Sequence, residues 1–333
     1  MHFRRFGRTG MQVSEIGFGT WNISGDWGVV EEQDALTALG TAFDRGITFY
    51  DTAMGYGGGR SECLLGEAFH TRRDQVVIAS KVAPNTGQWP ALETDDVQAT
   101  FSKAWIIKNT EESLKRLKTD YLDVQQLHCW AASWLRQGDW QEAVAQLKRQ
   151  GKIRYFGVSA NDWDPYNTVS LVESGLVDSI QVIYNLFEQR PAEQLLPAAL
   201  KHKVAIIVRV PFEEGLLTGK IRPGHRWTPG PWGQGDWRAR WMTEERLLEA
   251  EPHIVALEKE LDEQYPDLPT LALKFILAHP AVSVVIPGMR SLRNVQLNTA
   301  VSDIPPMPEA KLQRLYEHKW YHGWLYPWDK RLK

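Results

Sequence analysis

Eight short runs of β-branched and apolar residues recur along the chain, each parted from the next by a longer stretch of helical spacing. The runs cover 13–20, 48–53, 76–82, 121–129, 153–160, 179–185, 205–211 and 283–288. Helical patterning fills 31–45, 61–70, 101–117, 140–150, 165–174, 191–201 and 270–278, with 291–299 following the last run. Strand-then-helix alternation is the mark of parallel βα units rather than of a sandwich. Eight units in 333 residues, with no Pro/Ser-rich linker between halves, predict one (β/α)8 TIM barrel. The expectation is a single domain over 1–333, with a core at about 13–300 and a tail at 301–333. Ahead of the first unit, "HFRRFGRTGMQV" reads as an extra β-hairpin turning at Thr9-Gly10.

Barrel sites lie at the carboxyl ends of the strands, so long loops leaving those ends are the expected walls of a pocket. Two such loops, at 84–98 and 212–243, leave from there, and the tail after 301 is a third extension. Tryptophan is the unusual component: fifteen residues, several of them crowded into 225–242 and 318–330. Two roles stay open for these indoles, recognition on a rigid scaffold or cover for the barrel surface.

The net charge of −3, with no block of one sign, leaves no electrostatic footprint for nucleic acid or an anionic membrane. No apolar run reaches the length of a membrane span and the N-terminus has no apolar signal core, so a cytoplasmic protein is expected. Cys63 and Cys129 fit no metal or redox spacing and are expected to be buried thiols. No metal site is expected.

Four ionisable residues stand at or just beyond strand ends. Asp51 closes the second run, Lys81 the third and His128 the fourth, and Tyr56 follows Asp51 within "FYDTAMGYGGGRSE". The glycines here do not make a dinucleotide fingerprint, because Arg60 stands where a small residue is required and Ser80-Lys81 where an acid is. Barrel closure brings the four side chains to one rim. A lysine cation beside a tyrosine is expected to lower the phenol's pKa toward neutrality, Asp51 to keep Lys81 charged, and a neutral His128 to orient a substrate oxygen.

These segments also carry a family likeness. "DTAMGYGGGRSE", "ASKV", "SLKRLKTDYLDVQQLH", "GVSAND", "IQVIYN" and "IPGMRSLRNVQLN" occur in order over almost the whole chain, which resembles the aldo-keto reductase family. The resemblance implies a catalytic tetrad of Asp51, Tyr56, Lys81 and His128. It also implies a nicotinamide cofactor across the carboxyl rim, with hydride passing to an aldehyde or ketone and Tyr56 supplying the proton. The glycines would then let the loop fold back and point Tyr56 into the barrel mouth.

The same resemblance places Gly19, Thr20 and Trp21 at the pocket floor and Ser159 and Gln181 on the carboxamide; the family's neighbouring amide role either passes to Asn161 through a one-residue shift or is lost. Pro211, Phe212 and Gly215 would wrap the pyrophosphate, with Asn294 and Asn298 also in contact with the cofactor. Arg290 and Ser291 would grip the adenosine 2′-phosphate, favouring NADPH over NADH; where relatives often carry a further arginine this chain has Asn294, with Arg293 one step away. Arg209 replaces an aromatic residue under the nicotinamide. Its charge should favour bound NADPH over NADP+. The implied activity is reduction of a small carbonyl compound, sugar-derived or bulky. The alternative is a cofactor-binding regulatory subunit resembling potassium channel β subunits.

Overall fold

A computed structural model of the chain describes residues 1–227 and 236–324. An antiparallel hairpin, β1 (Phe3–Arg5) and β2 (Gln12–Ser14), precedes eight parallel strands. These are β3 (Phe18–Gly19), β4 (Phe49–Asp51), β5 (Val77–Val82), β6 (Leu122–Leu127), β7 (Ile153–Ser159), β8 (Ser179–Ile183), β9 (Ala205–Arg209) and β10 (Val282–Val285), each paired with the next in sequence order. Parallel bridges from Ile16 to Val285 and from Gly19 to Gly288 close the ring. Together with the intervening helices this is a (β/α)8 barrel.

The first strand is much shorter than its sequence run, because Val13 belongs to the hairpin. Ser14 and Thr48 exchange side-chain and backbone hydrogen bonds, both at 3.0 Å, and this reciprocal anchor ends β2 before β3 begins. The expected helix over 101–117 is two helices, Val97–Phe101 and Lys103–Arg116. Ser102 caps the second by accepting from the Trp105 amide, so the hydroxyl sets the break. Two helices have no counterpart in the sequence reading, Glu244–Glu258 and Glu309–Tyr316; Pro252 inside the first masks its helical spacing.

Alternation inside the barrel explains where the chemistry sits. Phe49, Ala79, Val124 and Ile207 form an inner apolar layer with Val284 and, from the hairpin side, Phe6. Two residues further along the same strands stand Asp51, Lys81, Gln126 and Arg209. A strand's side chains return to one face every second residue, so the apolar layer at the amino end gives way to a polar layer at the carboxyl end. Phe6 is fully buried and packs on Phe49 with ring centroids 5.5 Å apart, plugging the amino end. Gly7 beside it has φ +53°, and a Cβ there would fall 2.5 Å from the Ala205 nitrogen, so only glycine lets the hairpin seat this closely.

Trp130, Trp134 and Trp140 are core residues packed edge to face on one another. In the tail, Trp324 is buried against Trp241 and Trp320, so these indoles cover the chain's own barrel. Trp232 and Trp328 lie outside the described residues. Cys129 is buried as expected, but Cys63 is exposed on the outer face of its helix. Among the described residues no helix is long and apolar enough to cross a membrane.

Candidate active site

At the carboxyl rim a cavity of about 920 Å³ is lined by Asp51, Tyr56 and His128 together with residues from every quadrant of the barrel mouth. Lys81 lies beneath it with no solvent exposure. Its ammonium donates to Asp51 Oδ1 at 2.5 Å, to the Thr52 carbonyl at 2.8 Å and to the Tyr56 hydroxyl at 3.2 Å. An ammonium has three protons, and all three are directed. The other Asp51 oxygen accepts from Gln181 at 2.7 Å and Gln126 at 3.4 Å, so the buried carboxylate is saturated as well.

Burial alone would lower the lysine's pKa, but Asp51 beside it reverses the sign and raises it, so Lys81 is a cation. For Tyr56 the sequence expectation fails. Burial of the phenol outweighs the nearby Lys81 cation, and Asp51 opposes that cation further, so the pKa is raised rather than lowered. A Lys–Asp pair is nearly neutral to a third group, which removes most of the lysine's pull on the phenol. His128 is held well below its ordinary range by burial and by the cations of Lys81 and Arg209, so it is a neutral imidazole. Its ring meets Tyr56 edge to face at 5.7 Å and Trp89 at 4.7 Å.

The glycine cluster has a steric origin. Gly57, Gly58 and Gly59 all have positive φ, and a Cβ on Gly57 would lie 2.4 Å from the Ser24 carbonyl oxygen. This close approach lets Asp26 accept from the Gly57 amide at 3.0 Å and from the Trp21 indole at 2.9 Å. One carboxylate thus fixes both Tyr56's loop and Trp21, whose ring stacks on Tyr56 at 5.6 Å. The rest of the motif anchors the loop from behind. The buried Ser61 hydroxyl lies 2.5 Å from Thr20 Oγ1 and 2.9 Å from Thr52 Oγ1, and the buried Glu62 accepts from Ser80 at 2.5 Å and Arg116 at 2.6 Å.

Gly19, Thr20, Trp21, Ser159, Gln181, Arg209, Pro211, Phe212, Gly215, Asn294 and Asn298 all line the cavity. Three expected residues do not. Asn161 donates its amide to the Ala91 carbonyl at 2.8 Å, so the one-residue shift carries it into the wall. Arg290 donates to the Trp27 carbonyl at 3.1 Å, and Ser291 caps the helix Leu292–Ala300 by accepting from the Asn294 amide. Arg209 is not the uncompensated cation that the sequence suggested: it is paired with Asp162 and also donates to the Ala160 carbonyl at 3.0 Å.

Several lining residues escaped the sequence reading as individuals. Trp27, Trp89 and Trp237 join Trp21 around the mouth, with Trp237 stacked on Trp21 at 5.1 Å and Trp27 edge-on to Trp21 at 5.2 Å. Trp89 and Trp237 lie in loops that the sequence marked as pocket walls, but nothing in spacing alone aims their rings. Asp162 and Glu214 also line the cavity, and no local pattern signals them.

The closed parallel barrel thus carries a polar, hydrogen-bonded cluster at its carboxyl mouth. Residues 15–319 match the Aldo/keto reductase family, and the chain belongs to it; by that membership it is an NAD(P)H-dependent oxidoreductase. The sequence is 32% identical to aldo-keto reductase YhdN of Bacillus subtilis over 294 residues, covering 87% of this chain and 85% of that one. The fold is similar to aldo-keto reductase AKR11C1 of Bacillus halodurans in its holo form, with TM-score 0.75, 26% identity and full coverage of both chains. It is also similar to an aldo/keto reductase of Klebsiella pneumoniae in complex with NADP and acetate, with TM-score 0.67, 27% identity and coverage of 95% of this chain and 94% of that one.

Proposed function

We propose that this protein reduces an aldehyde or ketone with NADPH, Tyr56 giving the proton to the substrate oxygen. The observation that carries the reading is the single contact path from Asp51 through Lys81 to the Tyr56 hydroxyl, ending at the floor of the cavity. A phenol that keeps its proton is the form required of a donor to a carbonyl oxygen. Neutral His128, at the same floor, offers a hydrogen bond to that oxygen and holds it beside the phenol. Lys81 donates a hydrogen bond to the Tyr56 oxygen at 3.2 Å and so positions it for proton transfer, and Asp51 fixes the ammonium in place.

The cavity fits a nicotinamide dinucleotide. Ser159 Oγ is buried on its wall without a hydrogen-bond partner, beside Gln181, and suits a carboxamide. Arg209 Nε is a second unpartnered donor on the same wall. When bound, the cofactor supplies the hydride. Asn294 and Asn298 of helix Leu292–Ala300 line the cavity and suit the adenosine end of such a cofactor, and the Klebsiella relative is described with NADP. Trp21, Trp27, Trp89 and Trp237 around the mouth favour substrates with a broad apolar face, since indoles offer large flat surfaces with one polar edge.

The test is a titration with NADPH and with NADH followed by tryptophan fluorescence, then turnover of aldehydes, ketones and keto-sugars by the loaded protein. Tighter NADPH binding and turnover lost in Tyr56→Phe support the reading. Binding without turnover on any carbonyl would shift it to a regulatory protein, and absence of binding would end it.

A further inference from the structure

Glu214 is a buried acid on the cavity wall for which the proposed proton path has no use. It is 8% exposed, stands in the left-handed region at φ +51°, and its carboxylate accepts no hydrogen bond among the described residues; only its backbone carbonyl does, from Arg238 at 2.8 Å. The two guanidinium groups that act on it already have carboxylate partners. Arg209 is paired with Asp162 and Arg238 with Asp236, while Glu213 accepts from Asn185 at 2.6 Å and faces His322 at 3.1 Å. Lys220 and Asp267, further along the cavity, add one charge of each sign.

A dinucleotide with its reactive ring at Tyr56 and its far end at Asn294 and Asn298 must lay its middle along the wall between them. The pyrophosphate is that middle. Glu214, Gly215 and Thr218 line the same cavity, and their turn packs on the helix Leu268–Ala278, which neighbours the helix carrying Asn294 and Asn298. An ionised Glu214 would set a third negative charge against two phosphates in a low-dielectric cleft, whereas a protonated one offers a donor where the ligand has only acceptors.

We propose that Glu214 holds the dinucleotide as a neutral carboxylic acid, donating its proton to a phosphate oxygen, so that cofactor binding and protonation of this residue are linked. The inference rests on the reductase reading above. Burial first, and then the nearby Glu213 and Asp162, push the acid up to about 8, against the opposing pull of Arg238 and Arg209. The free protein therefore holds this proton below about pH 8 and must take one up to bind cofactor above it.

Calorimetric titration with NADPH in buffers of different ionisation enthalpy tests this on the intact protein without any substitution. The expected result is uptake of about one proton per NADPH at about pH 9 and close to none at about pH 6.5, with Kd rising up to about tenfold per pH unit above the midpoint. Glu214→Gln, which keeps a donor but cannot ionise, should bind with neither uptake nor slope. Lack of proton uptake at the alkaline pH, or an unchanged slope in Glu214→Gln, would overturn the assignment while leaving the reductase intact. Failure to bind NADPH or NADH at any pH would overturn the reductase reading and this inference with it.

Discussion

The Lys81 ammonium lies 3.2 Å from the Tyr56 hydroxyl while it is bound to Asp51 at 2.5 Å, so the phenol faces a cation whose charge is mostly spent. The phenol is therefore held in its protonated form, which is the form that the proposed donor role requires. Tyr56→Phe should lower kcat for carbonyl reduction by about 10²–10⁴-fold. NADPH affinity should stay within about threefold, since only the hydroxyl is lost. Parallel fluorescence titration and steady-state kinetics separate the two; an equal loss in both would mean that the hydroxyl acts in binding.

The pH behaviour follows with a definite sign. Burial raises the Tyr56 pKa, so the ultraviolet difference spectrum between the free protein and Tyr56→Phe should show no phenolate below about pH 10. His128 is lowered, so it gains no proton as pH falls through its ordinary value near 6.5. The rate of reduction should accordingly show no histidine limb at about that pH. A limb there that vanished in His128→Gln would contradict the neutral imidazole.

Lys81→Met removes the partner of a buried carboxylate. The expected loss is about 3–5 kcal/mol, because Asp51 keeps its desolvation cost without the attraction that offset it. Adding Asp51→Asn to Lys81→Met should recover part of that loss, a non-additivity that denaturant melts of both singles and the double would measure. Strict additivity would mean that the pair is not coupled.

Gly57→Ala tests the glycine cluster. The φ of +58° disfavours any side chain, and the Ser24 carbonyl lies where the Cβ would go, so a destabilisation of about 1–3 kcal/mol is expected. Gly55, at φ −80° with open space around it, should accept alanine with about 0.5 kcal/mol of change or less. Thermal melts of the two variants side by side are the check.

Asp162→Asn should expose the charge of Arg209. In the native protein the carboxylate balances the guanidinium. Without it a cation faces the bound ring, and the oxidised, positively charged ring should lose affinity relative to the reduced one by about 3–10-fold. Dissociation constants for NADP+ and NADPH, measured on both proteins, give the ratio directly.

The alternation of strand and helix was legible because it is local, and so were Asp51, Lys81 and His128, which strand ends and barrel closure bring to one rim. What sequence could not supply was long-range balance. The lowering of Tyr56 was expected from Lys81 alone, and it failed because Asp51 and burial act through distances that no spacing encodes. Arg209 was read as a free cation for the same reason, since Asp162 lies on the loop after another strand. Asn161 was expected at the pocket, and the Ala91 carbonyl that claims it comes from the loop after β5. The helix Glu244–Glu258 was missed because Pro252 reads locally as a break, whereas packing of Leu247, Ala250, Ile254 and Leu257 sustains it.

Phe6 and the apolar layer above it leave the barrel with one wet end. In the proposed reaction the proton that Tyr56 gives away cannot be restored from beneath, where Lys81 is sealed among its three acceptors. It must return through the mouth that substrate and product also use, so a bound alcohol stands between the spent phenol and the water that would recharge it. The proposed cycle would therefore reset its acid only as the product departs, which makes the plug at one end of the barrel a timekeeper for chemistry at the other.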